Sequence, residues 1–250
     1  MQTNINLYEP FKLKNVSDGI WQADGDIIKF MRMAFSIRMF IVQLDSKDFW
    51  LFSPIQPNPK LVEQVKQLVG DRKLLYIVYG NSIHHIYAED WMKLFPEAKL
   101  GGTKELITKM DKNKRNLSFD FDINNENRMP WQDEIDHFLI DCNKFIEEVV
   151  FYHRKSKSLI ITDIIQNHDV DCPGYNKKFI YRWVGISKTN GGGIPSDYKM
   201  GFKWPFGNKQ KAKETLRKAL VWEFDKILIT HGLSITENAR QYYTNFVDKL

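Results

Sequence analysis

Cysteine is almost missing from this chain. Its 250 residues hold two, Cys142 and Cys172, far apart and in no C-x-x-C pattern. That excludes a disulfide framework and points to a reducing compartment, the cytoplasm. No apolar run approaches the roughly 18 residues that a membrane span needs, so no membrane partner is expected. The start, MQTNINLYEPF, lacks the charged residues and apolar stretch of a secretory signal. A strong charge of one sign is absent too. Lys and Arg number 36 against 31 Asp and Glu, a net charge of +5. That excess is a weak hint of anionic partners, and the basic runs KNKR and Lys209 to Lys218 read as solvated surface. The three glycines at 191–193 are not followed by a Lys-Ser/Thr pair, which removes a phosphate-binding loop. Repeats of solenoid period are also lacking.

What is present is a core. Hydrophobic residues make up 43% of the chain and aromatics 14%, a globular composition sufficient for one domain over 1–250. DIIKFMRMAF, IRMFIVQL and DFWLFSPI are rich in β-branched and aromatic residues and predict strands. Pro57 and Pro59 then open a helix with Leu61, Val65, Leu68 and Val69 at i, i+4, i+7 and i+8. KLLYIVY predicts a strand buried on both faces, AEDWMKLFP a helix stopped by Pro96, and KLGGT with KELITKM a further strand and helix. LSFDFDI alternates like a strand. EIDHFLID, EEVVFYH and SLIITDII follow, the last two joined across RKSK as a hairpin. Residues from about 167 to 208 are irregular and aromatic, and read as an ordered insertion. Asn208 is placed to cap a helix, KILITHG predicts another buried strand, and a closing helix carries Ile235, Ala239, Tyr242 and Phe246 on one stripe. Strands dominate early and alternate with helices later, the pattern of an α/β fold with stacked sheets and outer helices.

Three buried runs end in a possible metal ligand. LLYIVYGNSI leads to His84 and His85, SLIIT to Asp163, and KILIT to His231 with Gly232 behind it. Strand ends hold side chains rigidly while the loops beyond leave a site open. Three imidazoles and a carboxylate suit zinc, iron or manganese. Adjacent histidines serve one point only on a turn or helix start, since a strand sends neighbours to opposite faces. A histidine at a strand end also has a plain reading as a hydrogen-bonded structural residue. Around the four, Asp90 is placed to orient an imidazole, while Asn167, His168 and Asp169 lie just past Asp163 and are candidates for the pocket. His137 reads as structural or surface, and His153, closing a strand about ten residues before Asp163, falls far from the site.

These same segments resemble the metallo-β-lactamase superfamily, and within it the branch called domain of unknown function family 4336. The likeness runs through GIWQADGDIIKF, IRMFIVQL, LFSPI, NSIHHIYAEDW, EEVVFYHRKSKSLIITDIIQN, GGGIPSDYKMGF and ILITHG, nearly the whole chain. It implies a four-layer αβ/βα sandwich with one or two metals. The superfamily signature H-x-H-x-D-H falls with its Asp-His ending on His84 and His85, and with its first two histidines on Gly80 and Ser82. A further histidine falls on Lys144, the bridging aspartate on Asp163 and the late histidine on His231. The resemblance therefore implies that the first metal position is lost. One divalent metal, zinc before iron or manganese, would be held by His84, His85, Asp163 and His231. His84 stands where the superfamily has Asp, as fourth ligand or as general base beside the water. The expected function is metal-dependent hydrolysis of a small ester, lactone, thioester or phosphoester, with Asp163 and His84 in catalytic roles. A non-catalytic scaffold is the alternative, and redox chemistry at iron a third. Nucleic acid is not an expected partner, because superfamily members that process it carry extra domains and the full signature.

Overall fold

The computed structural model describes residues 5–30, 33–113, 115, 117–124, 126–145, 147–172, 174–175, 177–203 and 207–250. The chain forms two compact units. The first takes residues 1–26 and 37–134, the second residues 27–36 and 135–250.

The first unit begins with a hairpin, β1 (Lys14–Ser17) and β2 (Ile20–Asp24). The next two strands, β3 (Ile28–Phe30) and β4 (Met33–Phe35), pair with each other and belong to the second unit. The first unit resumes with β5 (Arg38–Gln43), β6 (Phe49–Phe52), α1 (Pro59–Val69), β7 (Leu74–Val78), α2 (Ala88–Leu94), β8 (Lys99–Gly102), α3 (Lys104–Lys112) and β9 (Phe121–Asp122). Its sheet runs β1-β2-β5-β6-β7-β8-β9, antiparallel as far as β6 and parallel from there. All four residues of β6, Phe-Trp-Leu-Phe, are buried, as a strand covered on both faces requires. Trp50 stacks on Phe52 and meets Trp131 edge-on, which gives this unit an aromatic core. Asn58 caps α1 by accepting from Lys60 N, Pro59 opens it, and Leu61, Val65 and Val69 face inward as their spacing predicts. β9 is shorter than the alternation of LSFDFDI suggests. Asp120 spends its side chain on the N–H of Leu100, so only two residues pair with β8.

The second unit contains β10 (Ile135–Ile140), β11 (Glu148–His153), β12 (Ser158–Ile161), α4 (Lys178–Val184), α5 (Ser196–Gly201), α6 (Lys209–Arg217), β13 (Lys226–Ile229) and α7 (Ala239–Lys249). Its sheet runs β10-β11-β12-β13, with β12 and β13 parallel. β11 and β12 form the hairpin across RKSK. Asn208 caps α6 through Lys211 N. Leu159, Ile161, Ile227 and Ile229 pack with Ala212, Leu216, Tyr243 and Val247 into one core. The buried stripe of α7 is Ala239, Tyr243, Phe246 and Val247, not the one expected from Ile235. Ile235 precedes the helix and bridges to Ile227, so the helical count starts at Ala239 and Tyr242 falls to the flank. The stretch from 167 to 208 carries α4, a 3-10 turn at Lys188–Asn190 and α5. Among the described residues no helix is long and apolar enough to cross a membrane.

One polar cluster lies inside the first unit. Arg38 donates through both Nε and a terminal nitrogen to Oδ1 of Asp24, each at 2.7 Å. Lys14 sits 3.8 Å from the same carboxylate and donates to the carbonyl of Leu7. Burial pulls the Lys14 ammonium below the usual lysine value, against the opposing pull of Asp24 and Glu9. The buried anion of this cluster thus faces two buried cations, and removing it takes away the carboxylate that both share. Asp24→Ala is expected to cost about 3–5 kcal/mol of stability in urea unfolding. An unchanged unfolding midpoint would overturn that assignment.

Candidate metal centre

Parallel pairing aligns two loops. Ile161 of β12 lies opposite Ile229 of β13, and two residues beyond each the chain reaches Asp163 and His231 at one sheet edge. Thr230 locks the alignment, its N–H donating to Ile161 O at 3.2 Å and its hydroxyl to Thr162 O at 3.0 Å. Beyond His231 the backbone turns sharply. Gly232 has φ +92°, and a Cβ there would fall 2.1 Å from Asn167 O. Only glycine fits, which is the physical content of the Gly in THG. The turn is clamped by Asn167, whose N–H donates to His231 O at 3.1 Å and whose carbonyl accepts from Leu233 N at 2.7 Å.

The loop carrying Asp163 is held from beneath by Glu148, the first residue of β11 and fully buried. One carboxylate oxygen accepts from Thr162 N at 2.9 Å. The other accepts from Asp163 N at 3.0 Å and Ile164 N at 2.9 Å. Three amides that leave the sheet without strand partners are thereby satisfied, as buried N–H groups must be.

Asp163 and His231 are both buried, and Oδ1 of the first lies 3.1 Å from Nε2 of the second. The other ring nitrogen of His231, Nδ1, lies 2.7 Å from the carbonyl of Ser36. A carbonyl only accepts, so Nδ1 carries a proton. In neutral His231 the nitrogen facing Asp163 is then a bare lone pair. Two acceptors meet at 3.1 Å, an arrangement that calls for a cation between them, a proton or a metal ion.

Asp163 has a further neighbour. Gln166 donates from Nε2 to Asp163 Oδ1 at 3.1 Å, and its Oε1 lies 3.0 Å from Nε2 of His168. Nδ1 of His168 lies 2.8 Å from the Tyr175 hydroxyl. His168 is completely buried and boxed edge-on by Phe35 and Tyr181. Burial, reinforced by the nearby His231, pushes its pKa down to about 3 against the smaller opposing pull of Asp163. His168 is therefore a neutral structural imidazole next to the candidate ligands.

In the first unit, His84 and His85 fall after β7 and before α2, on a turn as the adjacency requires. Asn81 fixes that turn by accepting from the N–H groups of Ile83 and His84 at 3.1 and 3.2 Å. The two rings take different partners. His84 Nδ1 is 2.8 Å from the Ser53 hydroxyl. His85 is half-buried, and its pKa is pushed down to about 4 by burial and by the charge of Lys109, with the Ser82 backbone opposing. Gly80 and Ser82 offer no imidazole, and the Ser82 hydroxyl donates to Glu105. Asp90 is exposed in the first turn of α2, where a carboxylate complements the helix dipole. Asp169 pairs with Lys188 at 2.6 Å, and the Asn167 side chain donates to Leu233 O. His153 bonds Ser156 inside the β11–β12 hairpin and His137 packs on Phe151.

Four residues of this centre escape a reading of the sequence: Ser36, Glu148, Gln166 and Tyr175. Ser36 acts through its backbone, which no side-chain pattern reveals. Glu148 carried one signal, a charge at the mouth of the apolar run VVFY.

The buried imidazoles set a pH dependence. An unfolded histidine takes a proton near 6.5, whereas folded His168 refuses one down to about 3. Between those values the unfolded chain binds more protons, so stability falls as pH falls through the window. In chelator-treated protein, His168→Phe is expected to flatten the loss of urea midpoint between about pH 7 and about pH 4.5. Equal slopes in wild type and variant would overturn it.

Solved structures share the fold at low identity. The DIM-1 metallo-β-lactamase aligns with a TM-score of 0.62 at 13% identity, covering 95% of this chain and 97% of that one. A metallo-β-lactamase from Pontibacter korlensis aligns with a TM-score of 0.62 at 8% identity, covering 96% and 99%. The metal-soaked flavodiiron core of Flv1 from Synechocystis sp. PCC6803 aligns with a TM-score of 0.63 at 12% identity, covering 95% of this chain and 60% of that one. A search of curated proteins finds no match. The profile of the family described as Domain of unknown function (DUF4336) matches residues 17–178. With that match over more than half of its length, and with an α/β fold of the metallo-β-lactamase type, the chain belongs to the DUF4336 family.

Proposed function

We propose that this protein is a metal-dependent hydrolase with a reduced, mononuclear site, zinc being the first candidate metal. The observation that carries the reading is the contact of His231 Nε2 with Asp163 Oδ1, two buried acceptors 3.1 Å apart with the imidazole proton committed to Ser36 O. Nitrogen and carboxylate donors without thiolate suit zinc, iron or manganese. Asp163 and His231 would hold the ion, and the sequence resemblance adds His84 and His85. Once bound, such an ion polarises a carbonyl or phosphoryl oxygen and lowers the pKa of a coordinated water.

The chain's own residues do the rest. Glu148 fixes the backbone that carries Asp163, Ser36 fixes the ring of His231, and Thr230 with Gly232 sets the turn between β13 and the loop. His84 takes one of two roles, fourth ligand or the base that accepts the proton of the attacking water. The proposed substrate is a small ester, lactone, thioester or phosphoester.

Elemental analysis of protein purified without chelator tests the reading. About one zinc, iron or manganese per chain is expected in wild type, with near-complete loss in Asp163→Ala and His231→Ala. A metal-free wild type that also refuses all three metals on reconstitution would show that a proton fills the contact and that the chain is a scaffold. Since the ligands must be deprotonated, metal affinity is expected to fall as pH falls, in a competition titration at several pH values. His84→Ala separates the two roles. Loss of metal makes His84 a ligand, whereas metal retained with hydrolysis of generic ester, lactone or phosphodiester substrates lost makes it the base.

A further inference from the structure

The turn that carries His84 and His85 is held from several sides, all within the first unit. Asn81, fully buried, fixes its backbone by accepting from Ile83 N and His84 N at 3.1 and 3.2 Å. Helix α3 grips Ser82, two residues before His84, at both of its oxygens. The Ser82 hydroxyl donates to Glu105 Oε1 at 2.9 Å, and the Ser82 carbonyl accepts from Lys109 Nζ at 2.7 Å. Glu105 and Lys109 stand one helical turn apart and so share a face of α3. On the other flank, Trp91 of α2 donates from its indole nitrogen to Ile55 O at 2.6 Å. With the backbone of the turn fixed, the rotation of the His84 ring is what remains to be set.

Ser53 reaches that ring. It is buried, and its hydroxyl lies 2.8 Å from Nδ1 of His84. Parallel pairing brings the two together. Phe52 of β6 lies opposite Val78 of β7, and Ser53, the first residue past β6, donates its N–H to Val78 O at 2.9 Å. The serine thus leaves the sheet beside the strand that leads into the histidine turn. Its backbone is unusual. The φ of Ser53 is +49°, the left-handed region in which a Cβ crowds the following carbonyl. Glycine adopts that conformation without strain, yet the chain places a hydroxyl there. Strain of this kind persists only where the surroundings hold it, and it points to a residue whose side chain has a task.

We infer that Ser53 is a positioning residue, whose hydroxyl holds the His84 ring by Nδ1 so that His84 acts through Nε2. This rests on the proposed metal reading for what Nε2 meets, an ion or the water beside it, but not for the hold on the ring. Both roles need a lone pair on Nε2. The proton of neutral His84 then belongs on Nδ1, and the serine oxygen accepts it. As a ligand, a ring held by its other nitrogen points its lone pair in one direction, as outer partners of metal ligands ensure. As a base, the same ring keeps Nε2 aimed at one water. Ser53 acts on the site through His84.

The experiment uses the full chain with nitrogen-15 in its histidines, and the variants Ser53→Ala and Ser53→Gly. Both remove the hydroxyl, but only glycine also removes the strain, so Ser53→Gly is expected to be the more stable of the two in urea unfolding. Positioning should not follow stability. Long-range imidazole spectra of metal-free wild type are expected to show His84 protonated on Nδ1, and both variants should move its nitrogen shifts. If Nε2 meets the ion, both should weaken zinc binding by about tenfold to a hundredfold in a competition titration. If it meets the water, both should keep zinc and lose kcat on generic esters by a similar factor. Zinc affinity and kcat that track the unfolding midpoint, near wild type in Ser53→Gly and lower in Ser53→Ala, would show a merely structural role and overturn the inference. So would unmoved His84 nitrogens, or a wild type with His84 protonated on Nε2. Failure of wild type to bind zinc, iron or manganese would overturn the metal reading alone, since the nitrogen shifts still decide the hold on the ring.

Discussion

Parallel pairing of β12 with β13 is the constraint on which the candidate centre depends. Because Ile161 stands opposite Ile229, the residues two places on are brought level, and Asp163 and His231 leave the sheet side by side. A slip of one residue would turn one of the two side chains to the other face of the sheet. The register is therefore guarded from several directions. The apolar strands share one core with α6 and α7, Thr230 ties the two loops, and Gly232 permits a turn that any Cβ would block.

The Asp163–His231 contact is an ordinary buried ion pair when His231 carries two protons and a candidate cation site when it carries one. In a structural pair, a proton on the facing nitrogen of the histidine would donate to the carboxylate. Here the ring is anchored by its other nitrogen to a carbonyl that cannot donate, and the carboxylate already receives an amide N–H from Gln166. With His231 neutral the two groups suit a cation, and with His231 doubly protonated they suit each other. Glu148 contributes in the same sense, since three backbone amides on one buried carboxylate leave the Asp163 loop little freedom. Such rigidity is what a centre with few protein ligands requires if its geometry is to survive the exchange of water and substrate.

Much of the scaffold was legible in the sequence. Helix α1 announced itself through Asn58, Pro59 and an apolar stripe, α6 through Asn208, and the hairpin β11–β12 through two apolar runs around RKSK. Local signals decide such elements because capping and periodicity act within a turn or two of the chain. The misreadings came where distant residues intervened. Asp120 shortened β9 by bonding to Leu100, and Ile235, recruited by Ile227, left the stripe of α7. Among the candidate residues, Asp163, His231 and the adjacent histidines were visible as polar groups behind buried strands, and Gly232 as the glycine behind the last of them.

By itself, then, the sequence determined most of the strands and helices outside 167–208, the scarcity of cysteine and the positions of the candidate side chains. These follow from composition, spacing and local propensity. Tertiary structure decided which groups surround them: that Ser36 would give its carbonyl to His231, that Glu148 would gather the amides of the Asp163 loop, and that Tyr175 and His168 would stand behind Gln166. Ser36 and His231 are far apart along the chain, and hydrogen-bond direction belongs to no residue alone. It is fixed only when every neighbouring donor and acceptor is in place, which is why the contact of Asp163 with His231 appears in the fold and not in the string of letters.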